Sequence, residues 1–208
     1  MAILKDDGKI SGHIGGHIFQ PVAGMQVVRA MPGQYHDRKS PEQLKQRSGM
    51  NNIIATYRLL KKAMLGCFES DYNAYGPFRH HNLLQEPVEL SRDMYSRGAS
   101  LIAPYIVADG SLSSLSVTVD GEGIASCQLK KAEWKNGDTL RCIIMQQTEH
   151  SQLHIPVAKV TVTDRIVNTP KDEVITSEPL HNAAIAWIHL RETKKKHLSS
   201  RQRLVMIP

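Results

Sequence analysis

The chain of 208 residues and 23.2 kDa is long enough to bury the core of one sizeable domain, or of one domain with an appendage. Its 41% hydrophobic and 22% charged residues are ordinary for a globular protein, which excludes wholesale disorder and a collagen-like repeat. The three cysteines, Cys67, Cys127 and Cys142, stand too far apart for a CxxC motif, and their odd number favours a reducing compartment.

The net charge of +6 comes entirely from the first third of the chain. Residues 1–66 contain ten Lys or Arg against four Asp or Glu, whereas residues 67–208 contain sixteen of each. The first residues lack the apolar run of a signal peptide, and no stretch reaches the roughly 18 apolar residues of a membrane-spanning helix. The sequence therefore predicts cytoplasmic synthesis without a signal peptide and no membrane partner.

A basic, glycine-rich arm is predicted over residues 1–39. Between its six glycines, apolar and polar residues alternate with a period close to two, which is typical of extended chain. Turn-forming residues at 20–24 predict a β-hairpin with strands at about 10–19 and 25–31. Because an isolated hairpin is marginally stable in water, we expect this arm to need a partner surface.

A helical segment is predicted over residues 40–87. Ser40 is a good N-cap, Pro41 suits the first helical position, and Gln43 follows three residues after the cap. Apolar residues then recur at spacings of three and four, which predicts an amphipathic helix from Ser40 to Leu65, closed by Gly66. A second, short helix is predicted over residues 77–85.

The remainder, residues 88–208, is predicted to be an antiparallel β-sandwich, Ig-like or a small barrel, which makes the whole chain α+β. Short apolar or alternating runs separated by turn-like sequences indicate strands at 101–107, 115–119, 124–129, 139–146, 155–167 and 183–190. A last strand at 203–207 is expected to pair with 183–190 across a charged loop at 192–196.

The first third of the chain resembles a family of Bacteroidetes-type proteins built on a domain of unknown function. The resemblance is carried by a Gly-rich opening, an R-x-x-P segment and a Q-x-x-x-R pair, which correspond here to Gly12, Gly15, Gly16, Arg29, Pro32, Gln43 and Arg47. Similar openings are found in some bacteriophage-encoded proteins, which implies a virion or prophage component. The family brings no established activity, and so the resemblance implies no catalytic residue.

Motifs that carry catalysis or metal binding are missing from the sequence. There is no HExxH, GxSxG or phosphate-binding loop, and no carboxylate-rich cluster accompanies the histidines. His13 and His17 are four apart, but neighbouring glycines disfavour a helix there; on one strand both would share a face. We therefore expect a non-enzymatic protein with no metal, no cofactor and no small-molecule substrate.

Two functions remain open from the sequence. In a structural or assembly protein, the arm and the first helix would mediate self-association or docking to other structural proteins; the residues assigned to this role are Gly12, Gly15, Gly16, Phe19, Arg29, Pro32, Gln43 and Arg47. In a nucleic-acid-binding protein, basic side chains would neutralise phosphates; these are Arg38, Lys39, Lys45, Arg58, Lys61 and Lys62. Stacking aromatic residues are sparse there, which favours the assembly role.

Overall fold

The computed structural model describes residues 2–4, 8–31, 33, 39–69, 74–83, 102–149, 156–194 and 196–208. They form two compact units, Met1–Ser40 and Pro41–Pro208. The predicted α+β class is confirmed, because two α-helices accompany sheets whose strands pair antiparallel. The predicted boundary between a helical segment and a β domain, at 87–88, lies outside the described residues.

The first unit is a four-stranded antiparallel sheet in which each strand pairs with the next along the chain. Its strands are β1 (Ala2–Leu4), β2 (Ile10–Ile14), β3 (His17–Val22) and β4 (Met25–Ala30). Two tight turns connect the last three strands. Gly15 has a φ of +55°, as the first position of a type II′ turn requires, while Ala23 and Gly24, at +47° and +82°, fit a type I′ turn.

The predicted two-stranded hairpin is wrong in its first strand, whereas its second strand, predicted at 25–31, corresponds to β4. The expected strand 10–19 is split at Gly15-Gly16, because two glycines supply the backbone conformation of a two-residue turn. Conversely, Pro21 lies inside β3 rather than in a turn. Proline has no N–H to donate, and the Gln26 side chain compensates by accepting from Ile10 N at 2.9 Å and donating to Ile10 O at 3.0 Å.

Among its described residues, the second unit contains helices α1 (Pro41–Leu60) and α2 (Tyr75–Asn82) and ten strands. The strands are β5 (Ile106–Ala108), β6 (Val117–Val119), β7 (Ala125–Leu129), β8 (Asp138–Glu149), β9 (Pro156–Val167), β10 (Glu173–Thr176), β11 (Ala183–Glu192), β12 (His197–Ser199), β13 (Gln202–Arg203) and β14 (Val205–Ile207). The largest sheet has the order β12-β11-β8-β9, with β14 also paired to β11. A second sheet has the order β10-β7-β6, and β13 pairs with β5.

The first helix begins at Pro41 as predicted, but its regular part ends at Leu60 rather than Leu65. Helical bonding continues briefly, since Lys61 N donates to Tyr57 O at 2.7 Å and Met64 N donates to Leu60 O at 2.8 Å. The turns that follow reach Gly66, whose φ of +75° stops the helical path. The second helix begins two residues earlier than predicted and ends at Asn82.

The predicted pairing of 203–207 with 183–190 is present, since β14 pairs antiparallel with β11, but the two strands are not joined as a direct hairpin. The charged loop after Glu192 leads into β12, which pairs with the end of β11, whereas β14 pairs with its beginning. Strands β10 and β12 are not predicted by the alternation pattern. They span four and three residues, too few for a period of two to be recognised.

The core of the second unit consists of two apolar clusters that share the strands β8 and β11. Because successive side chains point to opposite faces, Ile143 and Ile188 pack with Leu60 and Phe78 from the helices. Leu140 and Trp187, on the opposite face of the same two strands, pack in the other cluster with side chains such as Leu129. Strand β11 is thus apolar on both sides, which explains its nearly continuous apolar sequence.

Candidate functional site

The sheet of the first unit has no buried side chain among its described residues. Every residue whose burial is described between positions 3 and 31 is exposed or half-buried. Large apolar side chains are well exposed, including Leu4 at 70%, Met25 at 67% and Val28 at 50% of their full area. Exposed apolar surface of this kind is characteristic of contact sites, because water disfavours it.

The strand register divides these side chains between two faces. Paired residues share a face, and the pair Gly12–Phe19 continues to Val28 on β4. This face, the Phe19 face, carries Leu4, Ile10, Ile14, Phe19, Pro21 and Val28. The opposite face, the Arg29 face, carries Ile3, His13, Ile18, Gln20, Val22, Met25, Val27 and Arg29.

The register also shows which predicted interaction residues come together. Gly12 lies directly opposite Phe19, while Arg29 pairs with Ile18 on the other face. Gly15 and Gly16 form the turn between β2 and β3 and lie at one end of the sheet. Pro32 lies outside the described residues. Within this sheet, the predicted residues therefore divide between both faces and a turn.

His13 and His17 cannot bind one metal ion through a shared face. His13 pairs with Ile18 and His17 with Ile14, so the turn at Gly15-Gly16 places the two imidazoles on opposite faces. The expectation that they would share a face is wrong, because it assumed one unbroken strand. Within the described residues, no group of three or more His, Cys, Asp or Glu side chains is arranged to hold a metal ion.

Of the predicted basic residues, Lys45 and Arg58 lie within α1, while Lys61 and Lys62 lie in the turn that follows it. Ser48, Asn52, Thr56 and Leu60 form the buried side of α1 at intervals of four residues. Arg58, Lys61 and Lys62 are exposed at its C-terminal end, on the other side of the helix, and the half-buried Arg47 lies on that same side. Gln43 and Lys45 lie in its first two turns, Lys39 precedes it in the first unit, and Arg38 is outside the described residues.

A cavity of about 570 Å³ in the second unit gathers polar side chains from separate parts of the chain. It is lined by Phe68, Glu69, Gly76, Pro77, His80, His81, Asp109, Gly110 and Ser111. His81 Nε2 lies 3.2 Å from Asp109 Oδ2, and Arg201 Nε lies 3.5 Å from Asp109 Oδ1. Asp109 is thus already shared between two protein partners.

Glu69 has a structural role at this cavity. Its Oε1 accepts from Ser111 N at 2.7 Å, Ser111 Oγ at 2.8 Å and Ser199 N at 3.1 Å. Although burial would raise the pKa of Glu69, the hydrogen bonds from Ser111 and Ser199 hold it below its ordinary value. A Cβ at Gly110 would lie 2.4 Å from Ser199 O, so the chain approaches too closely there for any side chain.

A second polar network, centred on Asp138 and His189, is buried within the second unit. His189 is 1% exposed and stacks on Trp134 with ring centroids 3.9 Å apart. Its Nε2 lies 2.7 Å from Asp138 Oδ2, and Arg191 donates to both oxygens of Asp138 at 2.9 and 2.7 Å. Such a buried, fully bonded carboxylate fixes strand β8 against β11.

The cysteines are packed rather than poised for reaction. Burial raises the pKa of Cys67 and of Cys127 to about 11 and that of Cys142 to about 12. The nucleophilic thiolate is therefore disfavoured at neutral pH. Arg141 lies beside Cys67, but its guanidinium donates to Leu65 O and to both oxygens of Asp164, and so it joins the end of the helical segment to β9.

Comparison with protein-family models, with curated proteins and with solved structures finds no significant match to this chain. The resemblance to a domain-of-unknown-function family therefore stays a hypothesis. Among the helices that the structure describes, none is long and apolar enough to cross a membrane.

Proposed function

We propose that this protein is a non-enzymatic structural or assembly component that associates through its N-terminal sheet. The observation that carries the proposal is the exposure of apolar side chains on both faces of that sheet, with no buried residue described in it. Four short strands without a core do not hold their structure well in water, whereas packing against another surface supplies the missing burial. The resemblance to phage-encoded proteins is consistent with a particle component.

Addition of strands from the arm to a neighbouring sheet would be one mode of contact. Because β1 to β4 pair with one another, most of their backbone groups already have partners. The apolar side chains on the two faces of the sheet, by contrast, are exposed to water. Contact through side chains on a face, rather than insertion of an extended arm into a neighbouring sheet, is therefore the mode that the geometry supports.

The proposal is tested by comparing the full chain with a chain that starts at Pro41. Both apolar clusters of the second unit consist of residues after position 52, so the shortened chain keeps its own core. We expect light scattering at high concentration to show oligomers of the full chain and monomers of the shortened one. Identical monomers in both samples would contradict assembly through the sheet.

Nucleic-acid binding is the second candidate, and the basic end of α1 favours it. Arg58, Lys61 and Lys62 are exposed within five positions, where they can meet consecutive phosphates. The sixteen acidic and sixteen basic residues after position 66 balance one another, so the excess positive charge lies in residues 1–66, which include this end of α1.

This candidate predicts binding that weakens steeply with salt. Replacing Arg58 or Lys61 by Ala should reduce the slope of log K against log salt by about one per phosphate contact. Lys131, which is exposed elsewhere, is the matched control, and Lys131→Ala should leave the slope unchanged. Equal slopes for all variants, or no retention of DNA or RNA at low salt, would remove this candidate.

The finer architecture of the second unit belongs to the same proposal. The β-sandwich predicted from the strand spacing is supported by the cluster that combines Cys127 and Leu129 of β7 with Ile185 and Trp187 of β11. These residues belong to two different sheets, and two sheets that bury side chains between them are the basic unit of a sandwich. In that architecture the second unit is the scaffold to which the associating N-terminal sheet is attached.

A further inference from the structure

We propose that the partner of the Phe19 face is the Phe19 face of a second copy of this chain. This inference rests on the proposed assembly function and adds to it the face and the partner. The two faces of the N-terminal sheet are unequal, and the difference in their charge decides between them.

Charge distinguishes the two faces. Among the described positions of β1 to β4, the Phe19 face holds no Lys, Arg, Asp or Glu, whereas the other face holds Arg29. The polar side chains of the Phe19 face are His17 and Gln26, and the Gln26 amide is hydrogen-bonded to the backbone of Ile10. Two copies can therefore approach through this face without like charges facing each other. A face that carries a charge would meet the same charge on the second copy.

The shape of the Phe19 face suits packing of one sheet on another. Phe19 stands near the middle of the face, and Gly12 opposite it has no side chain, which leaves space beside the ring. Apolar sheets pack about 10 Å apart, with side chains from both interdigitating. A second copy would supply Ile10, Ile14, Phe19 and Val28 in the same arrangement and would turn two open layers into one two-layer core.

The size of the face sets the expected strength of this pairing. Four strands at about 4.8 Å spacing, the longest of six residues at roughly 3.3 Å each, give a footprint of at most about 19 by 20 Å. Two such footprints together fall below the roughly 1,200 Å² that stable complexes bury, and so they place the pair among weak, concentration-dependent interfaces. The dimer should therefore form in the micromolar to millimolar range and dissociate on dilution.

The test compares lysine substitutions on the two faces of the full chain. Val28→Lys and Ile14→Lys each place a charge on the Phe19 face, while Met25→Lys places one on the Arg29 face. Val28 and Met25 lie on the same strand, and both are at least half exposed, which makes them a matched pair. Sedimentation equilibrium is measured from about 1 µM to about 500 µM, a range that spans the expected affinity. Amide spectra of β2 to β4 check that each variant keeps its sheet.

We expect the average mass of the wild type and of Met25→Lys to rise with concentration toward twice the monomer mass of 23.2 kDa. Val28→Lys and Ile14→Lys should associate at least about tenfold more weakly, because each pairing would bury two unpaired charges. Loss of association in Met25→Lys alone would overturn the choice of face and leave the assembly function standing. Full association of the triple variant Ile14→Lys, Met25→Lys, Val28→Lys, or a monomeric wild type throughout, would overturn both.

Discussion

Asp138 shows how single residues hold the second unit together. Its carboxylate receives Arg191, His189 and the Lys135 amide while its side chain is only 3% exposed. Burial would raise the pKa of Asp138, but the bonds from Arg191, Lys135 and His189 keep it below the ordinary value. For His189, burial lowers the pKa, and the neighbouring Asp138 offsets this only in part.

These two shifts predict that the protein loses stability as the pH falls. A histidine with a depressed pKa takes up its proton more readily in the unfolded chain, so stability declines as the pH drops below about 6.5. For Asp138 the loss follows at lower pH, as the solution falls below about 3.9 toward the folded-state pKa.

The measurement is urea unfolding at about pH 7.5 and about pH 5.5, on either side of the ordinary histidine pKa. His189→Gln should narrow the difference in unfolding free energy between the two conditions, because the titrating group is gone. The control His181→Gln, at an exposed position, should leave the difference as in the wild type. A wild-type protein equally stable at both pH values would contradict the role given to His189.

At the scale of elements, the sequence predicted those features that depend on local chemistry. The start of α1 at Pro41 agrees with the predicted Ser40-Pro41 start, and the turns after the helix reach Gly66, whose positive φ glycine adopts readily. Strands β8, β9 and β11 were expected from their long apolar or alternating runs, and they form the largest sheet.

The features that the sequence missed depend on contacts between distant positions. Glu69 bonds to Ser111 and to Ser199, which are 42 and 130 residues away, and no local pattern indicates such partners. In the first unit, Pro21 was expected in a turn because proline favours turns, but the Gln26 side chain makes it tolerable within β3. The spacing of His13 and His17 was misleading because the turn between them was not recognised.

At the scale of the whole molecule, the two units differ in how they bury apolar surface. The second unit encloses two apolar clusters, one of them joining the helices to the large sheet and the other joining the two sheets. The first unit pairs its strands, but its described side chains are exposed or half-buried and form no core. This contrast supports the proposed assembly role, since the second unit has a core of its own and the first would gain one by association.

The most direct test of this contrast is amide hydrogen exchange of the full chain at low and high protein concentration. We expect amides in β2, β3 and β4 to exchange at least about tenfold more slowly at high concentration, where association stabilises the sheet. Amides in β8 and β11 serve as an internal control and should exchange at the same rate in both samples. Strong protection of the N-terminal strands at both concentrations would show that the sheet is stable without a partner, and would contradict the account.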